Sequence, residues 1–264
     1  MCKNTDYFEM YLERYAGVPS LVIVRSLELK HFPKEFLKSP VLDLCCGNGF
    51  FSECLGIKDI FGCDIDNNVI NKAKTLNIYK EVRNCDVRDL SPYSDESFDT
   101  VISNCALEHV DGIDKALGEV SRVLKKGGHL IMTVPSENLN YWYYPKIFFN
   151  KIGLKTYGMK LFNSYNNRQA HLNILAEDLW KNKLGHKNLN IIKRFYFFNE
   201  NEYKFATFLD SLGGHILRRI NFIFIKTTPL IIRKFFWRNL LKPIYLNSLP
   251  LEKGGELVLV AQKV

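Results

Sequence analysis

The stretch from Pro40 to Phe50 constrains the fold of this chain more than any other part of the sequence. An apolar strand there ends in an acid, Asp43, and runs into a turn with two glycines that opens a helix. Gly47 and Gly49 can take a positive φ or let a ligand approach the backbone closely. The pattern predicts a ligand-binding turn at the carboxyl end of the first strand of a sheet.

The spacing of these glycines argues against a dinucleotide ligand. The fingerprint G-x-G-x-x-G needs a third glycine three residues after Gly49, where this chain has Ser52. A carboxylate beside the loop, such as Asp43, would also repel a pyrophosphate, whereas it suits the ammonium group of an amino acid. The loop therefore favours a ligand with an amino-acid moiety.

Further acids follow the next short apolar strands. Asp64 ends the segment 60–66 and lies about 20 residues past the first loop, where a carboxylate can accept hydrogen bonds from both hydroxyls of a ribose. Asp86 ends a third strand, 82–87, and is placed to accept a hydrogen bond from the exocyclic amine of an adenine. A fourth strand at 98–104, a helix from Ile113 to Leu124, a turn at 125–128 and a strand at 129–134 continue the alternation.

These motifs in this order resemble the class I S-adenosylmethionine-dependent methyltransferases, within them the group called methyltransferase type 11. The resemblance covers roughly residues 38–135 and includes the loop Asp43 to Gly49, the strand Phe98 to Val101 and the turn Leu124 to Leu130. Two positions depart from the family pattern. Cys45 stands where the loop usually has its first glycine, and Lys126 replaces the proline of the turn.

The resemblance implies S-adenosyl-L-methionine as cofactor and S-adenosyl-L-homocysteine as product. No metal is expected, because the sequence has no C-x-x-C pair with a second ligand pair. The resemblance also implies cofactor contacts at the ends of the first four strands. The candidate cofactor-binding residues are Asp43, Cys45, Cys46, Gly47, Asn48, Gly49, Asp64, Ile65, Asp86, Val87 and Asn104.

The fold class expected is α/β: a Rossmann-like class I methyltransferase fold with a seven-stranded, mostly parallel sheet, plus a helical cap or insertion. The last strand, 256–261, is expected to lie antiparallel beside the fifth. The predicted division is an N-terminal helical segment at 1–38, a cofactor-binding core at 39–200 and 256–264, and a helical insertion at 201–255.

The candidate catalytic residues lie in two segments, one after the fourth strand and one before a predicted helix at 176–184. His109 and His171 are the imidazoles that could accept a proton from an acceptor hydroxyl, and Glu108 is a third candidate. Each histidine also fits a purely structural role. A nitrogen acceptor would need no strong base.

Candidate substrate-binding residues are Tyr141, Tyr144, Arg168 and His171. The two tyrosines belong to an aromatic run directly after the fifth strand, at the edge of the sheet where the cofactor is expected. The alternative is that these rings pack against the following apolar segment.

The insertion is the least generic part of the chain. Residues 215–242 combine large aliphatic and aromatic side chains with arginines and lysines, and the net charge of the chain is +8. This basic amphipathic pattern predicts either a cap packed on the core or a peripheral contact with an anionic membrane. Nucleic acid is disfavoured, because clustered aliphatic residues do not suit a phosphate-tracking surface.

Composition predicts one soluble enzyme, since 264 residues with 47% hydrophobic content can bury one substantial core. The seven cysteines are expected to be free, because most of them lie on or after predicted strands, where cysteine acts as a small buried hydrophobe. The N-terminus lacks the apolar run of a signal peptide, so a cytoplasmic location, with membrane association as an option, is expected. The oligomeric state stays open.

Three functional classes are compatible with the sequence. The first is a methyltransferase acting on a small molecule, for example a sugar hydroxyl of a surface polysaccharide or a lipid-linked intermediate. The second is a tRNA or protein methyltransferase of the same fold, although Asn104-Cys105-Ala106-Leu107 stands where a base-holding Asn-Pro-Pro-Tyr-type signature would be expected. The third is a non-catalytic nucleotide-binding module.

Overall fold

The structure is a computed structural model that describes residues 6–213 and 227–264. Its strands are β1 (Val41–Leu44), β2 (Ile60–Asp64), β3 (Tyr79–Asn84), β4 (Phe98–Asn104), β5 (Leu124–Pro135), β6 (Leu189–Phe197) and β7 (Glu256–Lys263). Its described α-helices are α1 (Tyr7–Tyr15), α2 (Pro19–His31), α3 (Phe50–Leu55), α4 (Asn67–Ala73), α5 (Ile113–Val123), α6 (Leu139–Trp142), α7 (Tyr144–Lys151), α8 (Lys155–Gln169), α9 (Glu177–Gly185), α10 (Glu200–Gly213) and α11 (Leu230–Asn247).

The seven strands form one sheet in the order β3-β2-β1-β4-β5-β7-β6. Strands β1 to β5 pair in parallel, and β7 pairs antiparallel with β5, with Ile131 opposite Val260. The predicted seven-stranded sheet with an antiparallel last strand beside the fifth is therefore confirmed. From β1 the sheet extends to β2 and β3 on one side, and β4 and β5 lie on the other, so the strand order reverses between β1 and β4. A crevice opens at the carboxyl ends of these two strands.

The central strands are buried because helices cover both faces of a parallel sheet. All four residues of β1 are buried, and so are Val101 and Ile102 of β4. Helix α5 contributes a stripe of buried residues at the spacing of one helix face: Ile113, Ala116, Leu117 and Val120.

Two strands differ from their predicted bounds. Strand β3 covers Tyr79–Asn84, so Asp86 lies two residues beyond the strand and not at its end. Strand β5 begins at Leu124, before the predicted turn, with a register shift opposite Phe98 to Thr100. Gly127 still takes a positive φ of 77° there, so the turn survives as an irregularity within the strand.

Contacts divide the chain into two compact units. The sheet unit comprises 32–137, 171–196 and 256–264. The helical unit comprises 1–31, 138–170 and 197–255, and so includes helices α6 to α8 in addition to the N-terminal helices and the predicted insertion. The reason is that α7 packs on α8, and α10 packs on both α2 and α7.

Helix α11 is tied to α1 inside the helical unit by ion pairs. Glu9 accepts hydrogen bonds from Arg238 at 2.8 Å and Lys242 at 2.6 Å, and Lys234 pairs with Glu13. The part of the basic amphipathic segment at 214–226 lies outside the described residues. Within the described part of the chain, no helix has both the length and the apolar character needed to cross a membrane.

Candidate functional site

The turn after β1 takes left-handed backbone conformations at three positions. Cys45, Gly47 and Gly49 have φ values of 56°, 55° and 77°. A Cβ added at Gly49 would lie 2.8 Å from both Leu76 and Tyr79, whereas one at Gly47 would meet no atom within 4 Å. Glycine at 49 is therefore required by packing as well as by φ, and glycine at 47 leaves open space beside the loop.

The buried Asp43 carboxylate forms hydrogen bonds with side chains near this turn. Its Oδ2 accepts hydrogen bonds from the hydroxyls of Ser52 and Tyr79, each at 2.6 Å. Burial raises the pKa of the Asp43 carboxyl to about 6, although the two hydroxyls oppose that shift. The carboxyl is thus mostly ionised at neutral pH, at the cost of desolvating its charge.

Asp64 joins the turn to the end of β2. One carboxylate oxygen accepts a hydrogen bond from the Gly47 backbone N–H at 2.9 Å, and the other accepts one from the Asp66 N–H at 3.0 Å. The side chain is therefore held in one orientation at the sheet edge, where each oxygen retains a lone pair for a further donor.

Asp86 is held by Arg88 in a similar way. The Arg88 guanidinium contacts both carboxylate oxygens, with Nη2 at 2.6 Å from Oδ2 and Nε at 3.0 Å from each oxygen. The hydrogen bonds from the Arg88 side chain lower the pKa of Asp86. Asp86 is consequently ionised and fixed in place.

Asp64, Asp86 and Arg88 border one cavity of about 500 Å³ in the sheet unit, called here the strand-end cavity. It is lined by Cys45, Asp64, Ile65, Cys85, Asp86, Val87, Arg88, Cys105, Ala106, His109, Val110 and Asp111. Ile65 is 66% exposed although it is a large apolar residue. The carboxylates can accept hydrogen bonds from hydroxyl and amine groups, and the apolar residues Ile65 and Val87 can contact a flat ring. This combination fits the adenosine part of S-adenosylmethionine.

The predicted cofactor-binding residues divide into two groups in the structure. Cys45, Asp64, Ile65, Asp86 and Val87 line the strand-end cavity. Asp43, Cys46, Gly47, Asn48, Gly49 and Asn104 belong to the adjoining turn and strand ends and are not among its lining residues. For these the role in cofactor binding stays a prediction.

Several lining residues were missed by sequence reasoning. Arg88, Cys105, Val110 and Asp111 lie within two residues of a position that was singled out. The signal for Arg88 was present, because a basic residue two positions after an acid on a tight turn can reach back to it.

The expectation that the cysteines are free is wrong for two of them. Cys63 and Cys85 form a disulfide, with a Cα–Cα distance of 5.7 Å. The physical reason is the pairing of β2 with β3. Cys63 lies opposite Arg83 and Asp64 opposite Asn84, so Cys63 comes close to Cys85, the residue that follows β3. Four further described cysteines, Cys45, Cys46, Cys54 and Cys105, are thiols as expected.

The three predicted catalytic candidates form one cluster, called here the histidine cluster: Glu108, His109 and His171. One potential ligand atom from each lies within 4.8 Å of the other two. Glu108 is 1% exposed, and its Oε1 lies 3.5 Å from the Nε2 of His109. Burial, with a smaller contribution from the nearby His109, lowers the pKa of His171 to about 4, so this imidazole is neutral at physiological pH.

The remaining substrate-binding candidates lie in the helical unit. Tyr141 is 70% exposed, and the Tyr144 ring packs edge-on against Phe208. Arg168 forms an ion pair with Asp210. Part of the Tyr144 ring is therefore used for packing, as in the alternative interpretation. Substrate contact by these three residues stays a prediction.

Comparison with known proteins places the cavity within a known type of domain. Residues 42–132 match the family model described as a methyltransferase domain. A demethylmenaquinone methyltransferase of Leptospira interrogans is 34% identical over 113 residues, which is 39% of this chain and 45% of that protein. The mitochondrial ubiquinone biosynthesis O-methyltransferase of Homo sapiens is 31% identical over 122 residues, 41% of this chain and 32% of that protein.

The match to these curated relatives spans less than half of their length. Among solved structures, an S-adenosylmethionine-dependent methyltransferase from Thermotoga maritima aligns over 98% of this chain and 99% of its own, with a TM-score of 0.59 and 16% identity. At that identity the structural likeness concerns the fold, which is the one predicted.

Proposed function

We propose that the chain is a class I S-adenosylmethionine-dependent methyltransferase that transfers a methyl group to a small molecule. The match of residues 42–132 to a methyltransferase domain supports the proposal. The observation that carries the proposal is the pair of carboxylates that line one cavity: Asp64 at the end of β2 and Asp86 two residues beyond β3. Each carboxylate is followed by an apolar residue, Ile65 or Val87, that also lines the cavity.

The cofactor, when bound, would supply a methyl group on a sulfonium; the acceptor would bond to the methyl carbon as the C–S bond breaks and S-adenosylhomocysteine leaves. Asp64, whose position is fixed by the Gly47 and Asp66 N–H groups, would accept hydrogen bonds from the ribose hydroxyls. Asp86, which Arg88 holds, would accept one from the adenine amine. Ile65 and Val87 would provide apolar surface for the adenine ring.

The protein's contribution to the rate is mainly positioning, because the leaving group already carries its charge. His109 lines the strand-end cavity, so its imidazole is the group proposed to accept the proton of an acceptor hydroxyl as the new bond forms.

The acceptor is proposed to be a small molecule carried by a lipid or soluble in one. Helix α11 exposes large apolar side chains, with Ile231 77% and Phe235 66% exposed. The relative from Leptospira interrogans is named for demethylmenaquinone, which makes a quinone-type acceptor the first class to test. A sugar hydroxyl of a polysaccharide or lipid-linked intermediate is the second class, as predicted from the sequence.

The test uses cofactor labelled in its methyl group and cell extract separated into lipid, glycan, RNA and protein pools. The label should enter the lipid pool with the wild-type chain and fail to do so with Asp64→Asn. Label in RNA or protein would support the alternative of a tRNA or protein methyltransferase. Cofactor binding without label in any pool would favour a non-catalytic nucleotide-binding module.

A further inference from the structure

We propose that the histidine cluster binds a divalent transition-metal ion through Glu108, His109 and His171. The proposal concerns metal binding itself and holds or fails independently of methyl transfer. It replaces the expectation, drawn from the absence of C-x-x-C pairs, that the chain has no metal site.

The donor set and its dimensions are those of a transition-metal site. Two imidazole nitrogens and one carboxylate oxygen suit zinc, iron, manganese and nickel, and three protein ligands leave coordination positions open. Bonds of about 2.1 Å hold two donors up to about 4.2 Å apart. The three donor atoms already lie within 4.8 Å of one another, so small rotations of the side chains close the site.

The backbone around the cluster is held in place by four hydrogen bonds. The backbone N–H groups of Leu172 and Asn173 donate to the carbonyl oxygen of Glu108 at 2.8 and 2.9 Å. The Asn173 side chain donates to the carbonyl oxygens of Leu107 and Val110 at 3.1 and 2.7 Å. The segment that carries His171 is thereby fixed against the turn that carries Glu108 and His109, so the ligands need little reorganisation to bind an ion.

The cluster has a closed side and an open side. Glu108 is buried, whereas His109 lines the strand-end cavity together with Asp111. The acids Asp64, Asp86 and Asp111, which line this cavity, favour a cation in it. An ion held by the cluster would therefore present its open coordination positions toward the cavity, to water or to an oxygen of an acceptor.

Calorimetry with zinc chloride on the chelator-treated, tag-free full chain tests the proposal. We expect one zinc ion per chain, and at least about 10-fold weaker binding in His171→Ala and in Glu108→Gln. Cobalt(II) provides a second readout. A visible absorption band without a thiolate charge-transfer band is expected, because the ligands are nitrogen and oxygen and not the nearby cysteines.

The matched control is His186→Ala, since His186 is an exposed histidine that follows α9 and lies outside the cluster. This variant should bind zinc as the wild type does. Binding of S-adenosylhomocysteine, measured on every variant, reports whether the chain is folded and whether the cofactor proposal holds. Absence of stoichiometric zinc binding in the wild type, or equal binding by His171→Ala and Glu108→Gln, would overturn the metal site.

Discussion

The rings of His109 and His171 stack with their centroids 5.3 Å apart and their planes 15° from parallel. One follows β4 and the other precedes α9, so the two are distant in the chain but adjacent in the sheet unit. Asn173 joins the two segments through its side chain, and the backbone N–H groups of Leu172 and Asn173 join them through the Glu108 carbonyl oxygen. Since residues in direct contact rarely act independently, variants of the two histidines should show coupled effects.

Asp43 should reduce stability at neutral pH. Burial raises its pKa from 3.8 to about 6, so the folded chain holds a proton in that window that the unfolded chain has lost. The stabilisation that this proton provides is therefore lost as pH rises from about 4 through about 6, and it is absent at higher pH. Asp43→Asn should gain up to about 3 kcal/mol at pH 7 and much less at pH 4.5, as measured by urea unfolding.

Asp89→Asn is the control for this experiment. Asp89 is exposed, and hydrogen bonds from Ser91 lower its pKa, so removing its charge should give no gain in stability. An equal gain by Asp43→Asn at both pH values would show that the charge of Asp43 is not the cause.

Cys45 should carry backbone strain that glycine would relieve. Its φ of 56° lies in the left-handed region, which disfavours a residue with a Cβ. Cys45→Gly is expected to raise the free energy of unfolding by about 1 kcal/mol. Cys46→Gly should lower it, because Cys46 is buried and is not among the described positive-φ residues. Destabilisation by both substitutions, in thermal or urea unfolding, would contradict the strain at Cys45.

Membrane contact, if α11 mediates it, should depend on its exposed apolar residues. Ile231 and Phe235 are the two most exposed large apolar residues of this helix. Burying such side chains in a bilayer interface gives about 1.5–3 kcal/mol each. The double variant Ile231→Ser and Phe235→Ser should therefore bind anionic vesicles at least about 10-fold more weakly in a sedimentation assay.

Leu154→Ser provides the control, because Leu154 is a similarly exposed apolar residue outside α11. It should leave vesicle binding unchanged. Charge reversal at Arg238 or Lys242 is a poorer test, because these side chains pair with Glu9 inside the helical unit. Wild-type chain that stays in solution at low salt would refute the membrane interpretation and leave a packed cap.

The sheet could be predicted from the sequence because its signals are local. Each strand is a short apolar run followed by an acid or a turn. The topology, including the antiparallel last strand, was implied by the resemblance to class I methyltransferases that these motifs carry. Asp64, Ile65, Asp86 and Val87 line the cavity because each lies at or just beyond the carboxyl end of a parallel strand. That placement follows from strand position alone.

What the sequence could not predict depends on lateral packing. The Cys63–Cys85 disulfide requires the register of β2 against β3, and the histidine cluster requires hydrogen bonds between segments distant in the chain. The inclusion of α6 to α8 in the helical unit depends on which helices they contact. None of these relationships leaves a periodic or spacing signal within one segment.

The most direct test of the account is calorimetry of S-adenosylhomocysteine with the wild-type chain and with Asp64→Asn. The asparagine keeps an oxygen for the Gly47 N–H but removes the charge that receives the ribose hydroxyls. Each charge-assisted hydrogen bond is worth about 1.5–3 kcal/mol, so binding should weaken at least about 10-fold, and NAD should not bind the wild type. Absence of S-adenosylhomocysteine binding by the wild type, or equal affinity in Asp64→Asn, would contradict the strand-end cavity as the cofactor site.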